Sequence, residues 1–407
     1  MAEWIECKIS DIGTVVGGAT PSTKKPENYK NGTIAWITPK DLSTFTGRYI
    51  QRGERNITEV GLKSCSTQLL PKDTVLFSSR APIGYVAIAA NEVCTNQGFK
   101  SVVPNENTDP LFLYYLLKYN KDKIEGMGSG TTFKEVSGNT MKNIVVSIPT
   151  DKKVQKRISS MLGSIDDKIE ENERINNNLE QQAQAIFKSW FVDFEPFGGV
   201  QPPEMKFVPL QELCKVVTKG TTPTTLGKPF TSSGINFIKA ESILDSHSID
   251  SSKFAFIDEE TNALLKRSII KANDIVFTIA GTLGRFAMVD NSVLPANTNQ
   301  AVAIIRPDEN KVTPAYLYSF FIGNWHNEYY SKRIQQAVQA NLSLTTIKSL
   351  PIAVLSNTTM NDYDELVSPL FALMKGNEEE NRRLSELRDT LLPKLMSGEL
   401  DVSNIEL

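Results

Sequence analysis

The chain has 407 residues, of which 40% are hydrophobic and 22% charged, which is typical of a soluble protein with two or three domains. Its formal net charge of −3 argues against a strongly basic nucleic-acid binder of the histone type. No run approaches the roughly 18 apolar residues of a membrane span, no apolar signal segment opens the chain, and the cysteines are widely spaced, so we expect a cytoplasmic protein.

The charge becomes informative when it is divided along the chain. Residues 1–150 carry a net charge of +3 and residues 197–357 carry +2, whereas residues 151–196 carry −2 and residues 358–407 carry −6. The small total therefore hides two slightly basic blocks that alternate with two acidic ones. We predict that these four segments are two globular domains, each followed by a helical region.

The first globular segment has the pattern of a mixed α/β domain. Residues 74–78 and 85–89 are β-branched and apolar, with Gly84 between them, and predict two paired strands. Residues 99–103 predict another strand. Pro110 then opens a predicted helix over residues 111–119, at a position where proline is tolerated.

A long helix is predicted after this domain. From residue 158 its seam positions alternate by four and three, as in a coiled coil, and they are Ile158, Leu162, Ile165, Ile169, Asn172, Asn176, Leu179, Ala183, Ile186 and Trp190. A helix of about 38 residues would be about 57 Å long. Asparagine at a seam position lowers stability but fixes the register and the choice of partner helix, and we expect this role for Asn172 and Asn176.

The second half of the chain repeats the first in the same order, at an offset of 200 to 206 residues. Three of the matches are Gly18-Ala19-Thr20-Pro21 with Gly220-Thr221-Thr222-Pro223, Thr95-Asn96-Gln97 with Thr298-Asn299-Gln300, and Asn172-x-x-x-Asn176-x-x-Leu179 with Asn377-x-x-x-Asn381-x-x-Leu384. The repeat predicts strands at residues 275–278, 286–289 and 301–305 and a helix at 315–321. These matches indicate a duplicated unit of one domain and one helix.

The second long helix is predicted from about residue 362 to residue 396, with Pro393 breaking it near its end. Its predicted seam is Leu366, Leu370, Leu373, Asn377, Leu384, Leu387 and Leu391, interrupted by Glu380. Each long helix could cap its own domain, but duplicated halves with one seam each favour pairing. The predicted fold class is α/β: two similar mixed α/β domains separated by two long helices, packed as an antiparallel coiled coil with a pseudo-twofold internal repeat.

The sequence contains no set of residues that predicts catalysis or metal binding. His247 and His326 are the only histidines, and neither has neighbours at ligand spacing. The glycines before Lys228 have the wrong spacing for a phosphate loop, and the segment around Pro202 and Pro203 fits a linker. We therefore expect no catalytic residue and no metal on this chain.

Several motifs occur in an order that is typical of one known family. They are the two Gly-x-Thr-Pro segments, Trp36-Ile37-Thr38, Ser78-Ser79-Arg80-Ala81-Pro82-Ile83-Gly84, Thr95-Asn96-Gln97-Gly98, Ile165-Asp166-Asp167-Lys168-Ile169 and Leu391-Leu392-Pro393-Lys394-Leu395. With these motifs the chain resembles the DNA-specificity subunits of type I restriction–modification enzymes. The second half departs locally, with Ala280 in the place of Arg80 and Arg285 one residue beyond the shared glycine.

The resemblance implies a non-catalytic subunit that reads DNA. Residues 1–150 and 197–357 would be two target-recognition domains, each reading one half of a split, asymmetric site in double-stranded DNA. The helical regions would set the spacing of the half-sites and dock two methyltransferase subunits, which bring S-adenosylmethionine. They would also help to recruit restriction subunits, which bring ATP and Mg. The chain itself would hold no cofactor.

Candidate contact residues follow from the side-chain chemistry of DNA recognition. Arginine and amide groups read base edges, and lysine and hydroxyl groups hold phosphates, which gives Thr20, Ser22, Lys24, Lys40, Arg80, Lys134, Thr222, Thr224, Lys239, Arg285, Gln339 and Asn341. The candidates for coiled-coil and partner contacts are Ile165, Ile169, Asn172, Asn176, Leu179, Leu373, Asn377, Asn381, Leu384 and Leu391.

Alternatives to these assignments stay open. The threonines could be turn residues, the lysines a solvated face, and Thr95-Asn96-Gln97 and its repeat could hydrogen-bond a turn rather than DNA. A stand-alone enzyme and a coiled-coil scaffold without DNA binding are the rival classes. The absence of a catalytic set argues against the enzyme, and the slightly basic repeated domains argue against the scaffold.

Overall fold

The structure is a computed structural model that describes residues 3–80, 82–130, 134–323, 325 and 342–403. It divides into two compact units. Unit 1 comprises residues 1–171 and 381–407, and unit 2 comprises residues 172–380. Both boundaries fall within the two long helices, so each unit contains a globular part and a segment of each helix.

Unit 1 contains three sheets and a set of short helices. Its strands are β1 (Trp4–Lys8), β2 (Gly13–Gly17), β3 (Ile34–Ile37), β4 (Tyr49–Ile50), β5 (Arg55–Ile57), β6 (Val75–Phe77), β7 (Val86–Ala89), β8 (Cys94–Thr95), β9 (Lys100–Pro104) and β10 (Val145–Pro149). Its helices are α1 (Ile9–Ile12), α2 (Pro39–Ser43), α3 (Glu59–Lys63), α4 (Pro110–Tyr119), α5 (Lys121–Gly126), α6 (Gly138–Asn143) and the first part of α7 (Lys152–Phe191).

The sheet order of unit 1 explains where its core lies. The five-stranded sheet has the order β2-β9-β6-β7-β4, the three-stranded sheet has the order β5-β3-β8, and β1 pairs with β10. All residues of the central strand β6 are buried, which is why its sequence is apolar on both faces. Helix α4 covers this core with Phe112, and the Asp109 side chain caps it by accepting from the Phe112 N–H at 2.8 Å.

Unit 2 repeats this plan. Its strands are β11 (Lys206–Pro209), β12 (Cys214–Lys219), β13 (Ile235–Ile238), β14 (Ala255–Ile257), β15 (Ile275–Thr278), β16 (Phe286–Met288), β17 (Ala296–Thr298), β18 (Val302–Pro307) and β19 (Pro351–Val354). Its helices are α8 (Glu259–Leu264), α9 (Pro314–Ile322), α10 (Leu344–Lys348), the second part of α7 and the first part of α11 (Asn357–Met396), whose last part belongs to unit 1.

The sheets of unit 2 confirm the predicted duplication. Their orders are β12-β18-β15-β16, β14-β13-β17 and β11-β19, which match unit 1 strand for strand except at β4. The caps are also repeated, because Thr313 accepts from the Tyr316 N–H at the start of α9 as Asp109 does at α4. The predicted mixed α/β class is therefore correct for both units.

Both long helices have 40 residues, close to the predicted length. Helix α11 begins at Asn357, before the predicted start, and it continues through Pro393 to Met396, so the predicted break at Pro393 is wrong. The physical reason is packing. Leu395 and Met396 are buried, and their burial holds the last turn although the proline removes one backbone hydrogen bond.

The helices pair antiparallel within each unit, as predicted. In unit 1, the Asn381 amide donates to the Ile169 carbonyl at 3.4 Å, and Arg388 donates to Asp166 at 2.9 Å. Residue numbers therefore increase along α11 in the direction in which they decrease along α7. In unit 2, Asn172 donates to Glu380 at 2.8 Å, and Asn377 donates to the Asn176 side chain at 2.8 Å. Asn377 and Asn176 therefore meet directly.

The predicted seam of α11 is partly wrong. Leu366, Leu373 and Leu387 are 49%, 51% and 48% exposed, so they lie outside the seam. One set of buried or half-buried positions alternates by four and three along the helix, and its members are Tyr363, Val367, Leu370, Met374, Asn377, Asn381, Leu384, Arg388, Leu391 and Leu395. The misplaced leucines form a neighbouring column at heptad spacing, which hydrophobicity alone does not distinguish from the seam.

Two adjacent residues test this seam. Met374→Ala removes a side chain that is 7% exposed and should destabilise unit 2 by about 2–5 kcal/mol, because it leaves a cavity. Leu373→Ala, the matched control, should change the free energy of unfolding by no more than about 0.5 kcal/mol. Urea unfolding of the two variants measures the difference, and a larger loss for Leu373→Ala would contradict the seam.

Candidate nucleic-acid interface

The two motifs shared by the globular parts lie against each other in unit 1. The Ala19 N–H donates to the Thr95 carbonyl at 3.0 Å, and the Thr20 hydroxyl hydrogen-bonds the Gln97 side chain. A Cβ atom on Gly18 would lie 2.2 Å from the Thr95 carbonyl oxygen, so only glycine allows this approach.

The same arrangement recurs in unit 2. The Gly220 N–H donates to the Asn299 carbonyl at 3.1 Å, and the Thr222 hydroxyl hydrogen-bonds the Gln300 side chain. A Cβ atom on Gly220 would lie 1.8 Å from the Thr298 carbonyl oxygen. The Gly-x-Thr-Pro and Thr-Asn-Gln motifs are therefore two sides of one contact in each unit.

The asparagines of these motifs stabilise a turn, which confirms that prediction. The Asn96 side chain accepts from the Gly98 N–H at 2.9 Å, and the Asn299 side chain accepts from the Ala301 N–H at 3.0 Å. Gln97 and Gln300 are exposed at the ends of these turns, with their side-chain oxygens bound by Thr20 and Thr222, and neither was among the predicted contact residues.

The predicted cations of unit 1 fall into two groups. Lys40 binds Glu54 at 2.8 Å, and this hydrogen bond raises the pKa of the lysine. Arg80 lies 3.9 Å from Glu135. Lys24 and Lys134 are exposed, and no carboxylate pairs with either among the residues that the structure describes. These two lysines are therefore the predicted cations with the least neutralised charge.

The predicted cations of unit 2 are held by neighbouring side chains. Arg285 donates two hydrogen bonds to Asp245, at 2.7 and 2.6 Å, so its guanidinium fork is occupied. Lys239 lies 3.5 Å from Glu241 and 5.5 Å from the centre of the Phe230 ring. Thr224 is exposed, whereas Gln339 and Asn341 lie outside the described residues.

A basic groove lies beside the Gly-x-Thr-Pro segment of unit 1, and none of its lining residues was among the predicted contacts. It encloses about 490 Å³ and is lined by Thr23, Pro26, Tyr29, Lys30, Arg55 and Asn56. The Tyr29 hydroxyl donates to the Pro21 carbonyl at 2.6 Å, and buried Asn28 donates to the Ser22 carbonyl at 2.9 Å. These bonds hold the segment that presents Ser22 and Lys24 at the surface.

The counterpart segment of unit 2 is apolar rather than basic. Leu226 and Phe230 are 50% and 38% exposed, and Lys228 is bound by Glu260 at 2.8 Å. The two units therefore keep the same internal turn but present different chemistry beside it. Such a difference is what two domains need if they are to contact different nucleotide sequences.

Within the described ranges, no group of three or more His, Cys, Asp or Glu residues could hold a metal ion. No helix in the same part of the chain is long and apolar enough to cross a membrane.

Comparison with known proteins decides the family. Residues 1–181 and 202–355 match the family model described as the type I restriction modification DNA specificity domain. The chain belongs to this family. The two matched segments of the specificity family fall one in each half of the repeat, so the duplication seen in the sheets is a duplication of the specificity domain.

Relatives and a solved structure agree with this assignment. The chain is 34% identical to the MjaIX specificity subunit of Methanocaldococcus jannaschii, covering 99% of this chain and 95% of that protein. It is 24% identical to the HindI specificity subunit of Haemophilus influenzae, covering 98% and 100%. The crystal structure of a type I S subunit from M. genitalium superposes with a TM-score of 0.58 at 16% identity, over 97% of this chain and 96% of that chain.

The contrast between free and paired lysines gives a test of the specificity-domain surface. On a DNA duplex of unrelated sequence, the logarithm of the binding constant falls linearly with the logarithm of the salt concentration. Lys24→Ala should make this slope shallower by about 1, because one phosphate contact is lost. Lys40→Ala should change it less, because Glu54 already neutralises Lys40 at 2.8 Å. Fluorescence anisotropy at several salt concentrations measures both slopes. Equal slopes for the two variants would contradict the assignment of Lys24 as a phosphate contact.

Proposed function

We propose that this chain is the sequence-reading subunit of a type I restriction–modification complex and that it reads a split, asymmetric DNA site. The domain within residues 1–150 reads one half-site, and the domain within residues 197–357 reads the other. The chain positions DNA and partner subunits and performs no chemistry itself.

One observation carries this proposal: the specificity domain occurs twice, with the same internal turn and different surfaces beside it. The basic groove and Lys24 belong to the first copy, and exposed Leu226 and Phe230 belong to the second. Two copies with identical surfaces would read a symmetric site, whereas two copies with different surfaces read an asymmetric one. The net charges of +3 and +2 supply only modest phosphate attraction, which suits a subunit whose partners add to the DNA clamp.

The helix pair sets the number of unread base pairs between the half-sites. A helix of 40 residues is about 60 Å long, and one turn of B-DNA is about 34–36 Å. A helix pair of this length suits a spacer between two half-sites that lie about one turn or more apart along the duplex. The polar seam supports this role, because asparagines that bond across the pair oppose sliding of one helix along the other.

The partners follow from the same plan. Two methyltransferase subunits dock on the acidic helical regions and bring S-adenosylmethionine. Restriction subunits join them with ATP and Mg, and the complex acts on double-stranded DNA in the cytoplasm. The exposed leucines of α11, Leu366 and Leu373, lie on a face that the helix seam leaves open, and they support a protein contact there.

The test is to co-express the chain with its methyltransferase subunit and to map methylated adenines on genomic DNA by single-molecule sequencing. We expect one bipartite motif, with two different half-sites and a fixed gap. A methyltransferase expressed without this chain is the control and should give no such motif. Methylation of a continuous palindrome, or no methylation in the assembled complex, would contradict the proposal.

A further inference from the structure

One buried arginine joins the globular part of unit 1 to helix α7. The side chain of Arg48 is 5% exposed, although arginine usually keeps its charge in water. Its guanidinium donates to the Gly163 carbonyl at 3.2 Å and to Glu170 at 3.0 Å, and it also forms an ion pair with Asp167. All three acceptors lie on one face of α7.

The backbone of Arg48 connects this contact to the recognition sheet. Its carbonyl accepts from the Ile88 N–H at 2.7 Å, and the next residue, Tyr49, begins β4 and pairs with β7. Strand β7 pairs in turn with β6, which leads into the loop that carries Arg80. Strands β4, β7 and β6 therefore form a continuous hydrogen-bonded connection between Arg48 and the loop of a predicted DNA contact.

Helix α7 has a glycine, Gly163, where the Arg48 side chain packs against it. A Cβ atom at Gly163 would lie 3.3 Å from the Arg48 guanidinium and 3.1 Å from Leu111, so a larger residue would push both away. The fork geometry of the guanidinium also matters, because it satisfies a carbonyl and two carboxylates at once, which the single ammonium of lysine does not reproduce.

The corresponding loop of unit 2 lacks this permanent charge. Between the counterpart strands β13 and β14, His247 stacks on Phe286 at 4.1 Å and lies 3.7 Å from Glu180 on α7. Burial lowers the pKa of His247 below its ordinary value, so it is neutral at pH 7. The contact between the globular part and α7 therefore uses a permanent charge in unit 1 and a neutral imidazole in unit 2.

We infer that Arg48 is a positioning residue that fixes the angle of the first recognition domain on α7 and thereby the length of the DNA spacer that the complex accepts. This inference rests on the proposed function. Arg48 need not touch DNA in this role. Its loss leaves the half-site sequences unchanged and widens the range of spacers, because a domain that pivots on its helix reaches neighbouring positions along the duplex.

The experiment maps methylated adenines for complexes that carry Arg48→Ala, Arg48→Lys or Glu170→Gln. For Arg48→Ala we expect methylation at spacers one base pair longer or shorter to rise about tenfold or more relative to the wild-type spacer, with both half-sites intact. Arg48→Lys should be intermediate, since it keeps the charge but loses the fork. Lys123→Ala is the matched control, because it removes an exposed cation of unit 1 that donates to the Val145 carbonyl at 2.7 Å.

The outcomes separate this inference from the proposed function. If the wild-type complex yields no bipartite motif, the proposed function fails. If it does and Arg48→Ala lowers methylation equally at every spacer, or changes nothing, the positioning role is overturned. If Arg48→Ala gives no assembled complex, Glu170→Gln decides: a broadened spacer supports the inference, and an unchanged spacer refutes it.

Discussion

The rest of the structure depends on how an asparagine on each long helix bonds to the backbone of the other. In unit 1, the Asn381 amide donates to the Ile169 carbonyl, and in unit 2, the Asn176 amide donates to the Met374 carbonyl at 3.1 Å. The two bonds are related by the repeat, since 205 residues separate the two donors and also the two acceptors. A one-heptad slip would offer each amide another backbone carbonyl, but it would separate the side chains of Asn377 and Asn176, which bond each other at 2.8 Å. The register of the helices therefore depends on this side-chain bond together with the two bonds to the backbone.

On this common frame, the two units are attached to their helices differently. In unit 1, buried Asp166 on α7 accepts from the Tyr115 hydroxyl at 2.6 Å and from Arg388 at 2.9 Å. In unit 2, Tyr363 on α11 packs against the Phe191 ring at 5.1 Å, and Tyr316 on α9 packs against the same ring at 5.0 Å. Charge-assisted bonds are directional and fix an angle, whereas aromatic packing tolerates more than one geometry. The two units therefore share their sheets and their helix seam but differ in the side chains that attach the globular part to the long helices.

Much of the fold could be predicted from the sequence, because local hydrophobic periodicity and the internal repeat both indicate its elements. The strand at 275–278 and both long helices were predicted on that basis. Part of the seam of α11 was missed because Leu373 is more hydrophobic than its seam neighbour Met374, and Leu387 is more hydrophobic than Arg388. Adding 205 to the seam of α7 gives Met374 and Arg388 instead. The pairing of cations was not predictable, because a partner such as Asp245 lies 40 residues from Arg285 and no periodic pattern links them.

The central claim is that the two specificity domains read DNA independently on one shared frame of helices. The most direct measurement exchanges residues 1–150 for the first domain of a relative with a different site, and then sequences the methylated motif. The account predicts that one half-site changes to that of the donor, while the other half-site and the gap stay as they were. A simultaneous change in both half-sites would contradict it, because the domains would then act as one inseparable reading surface.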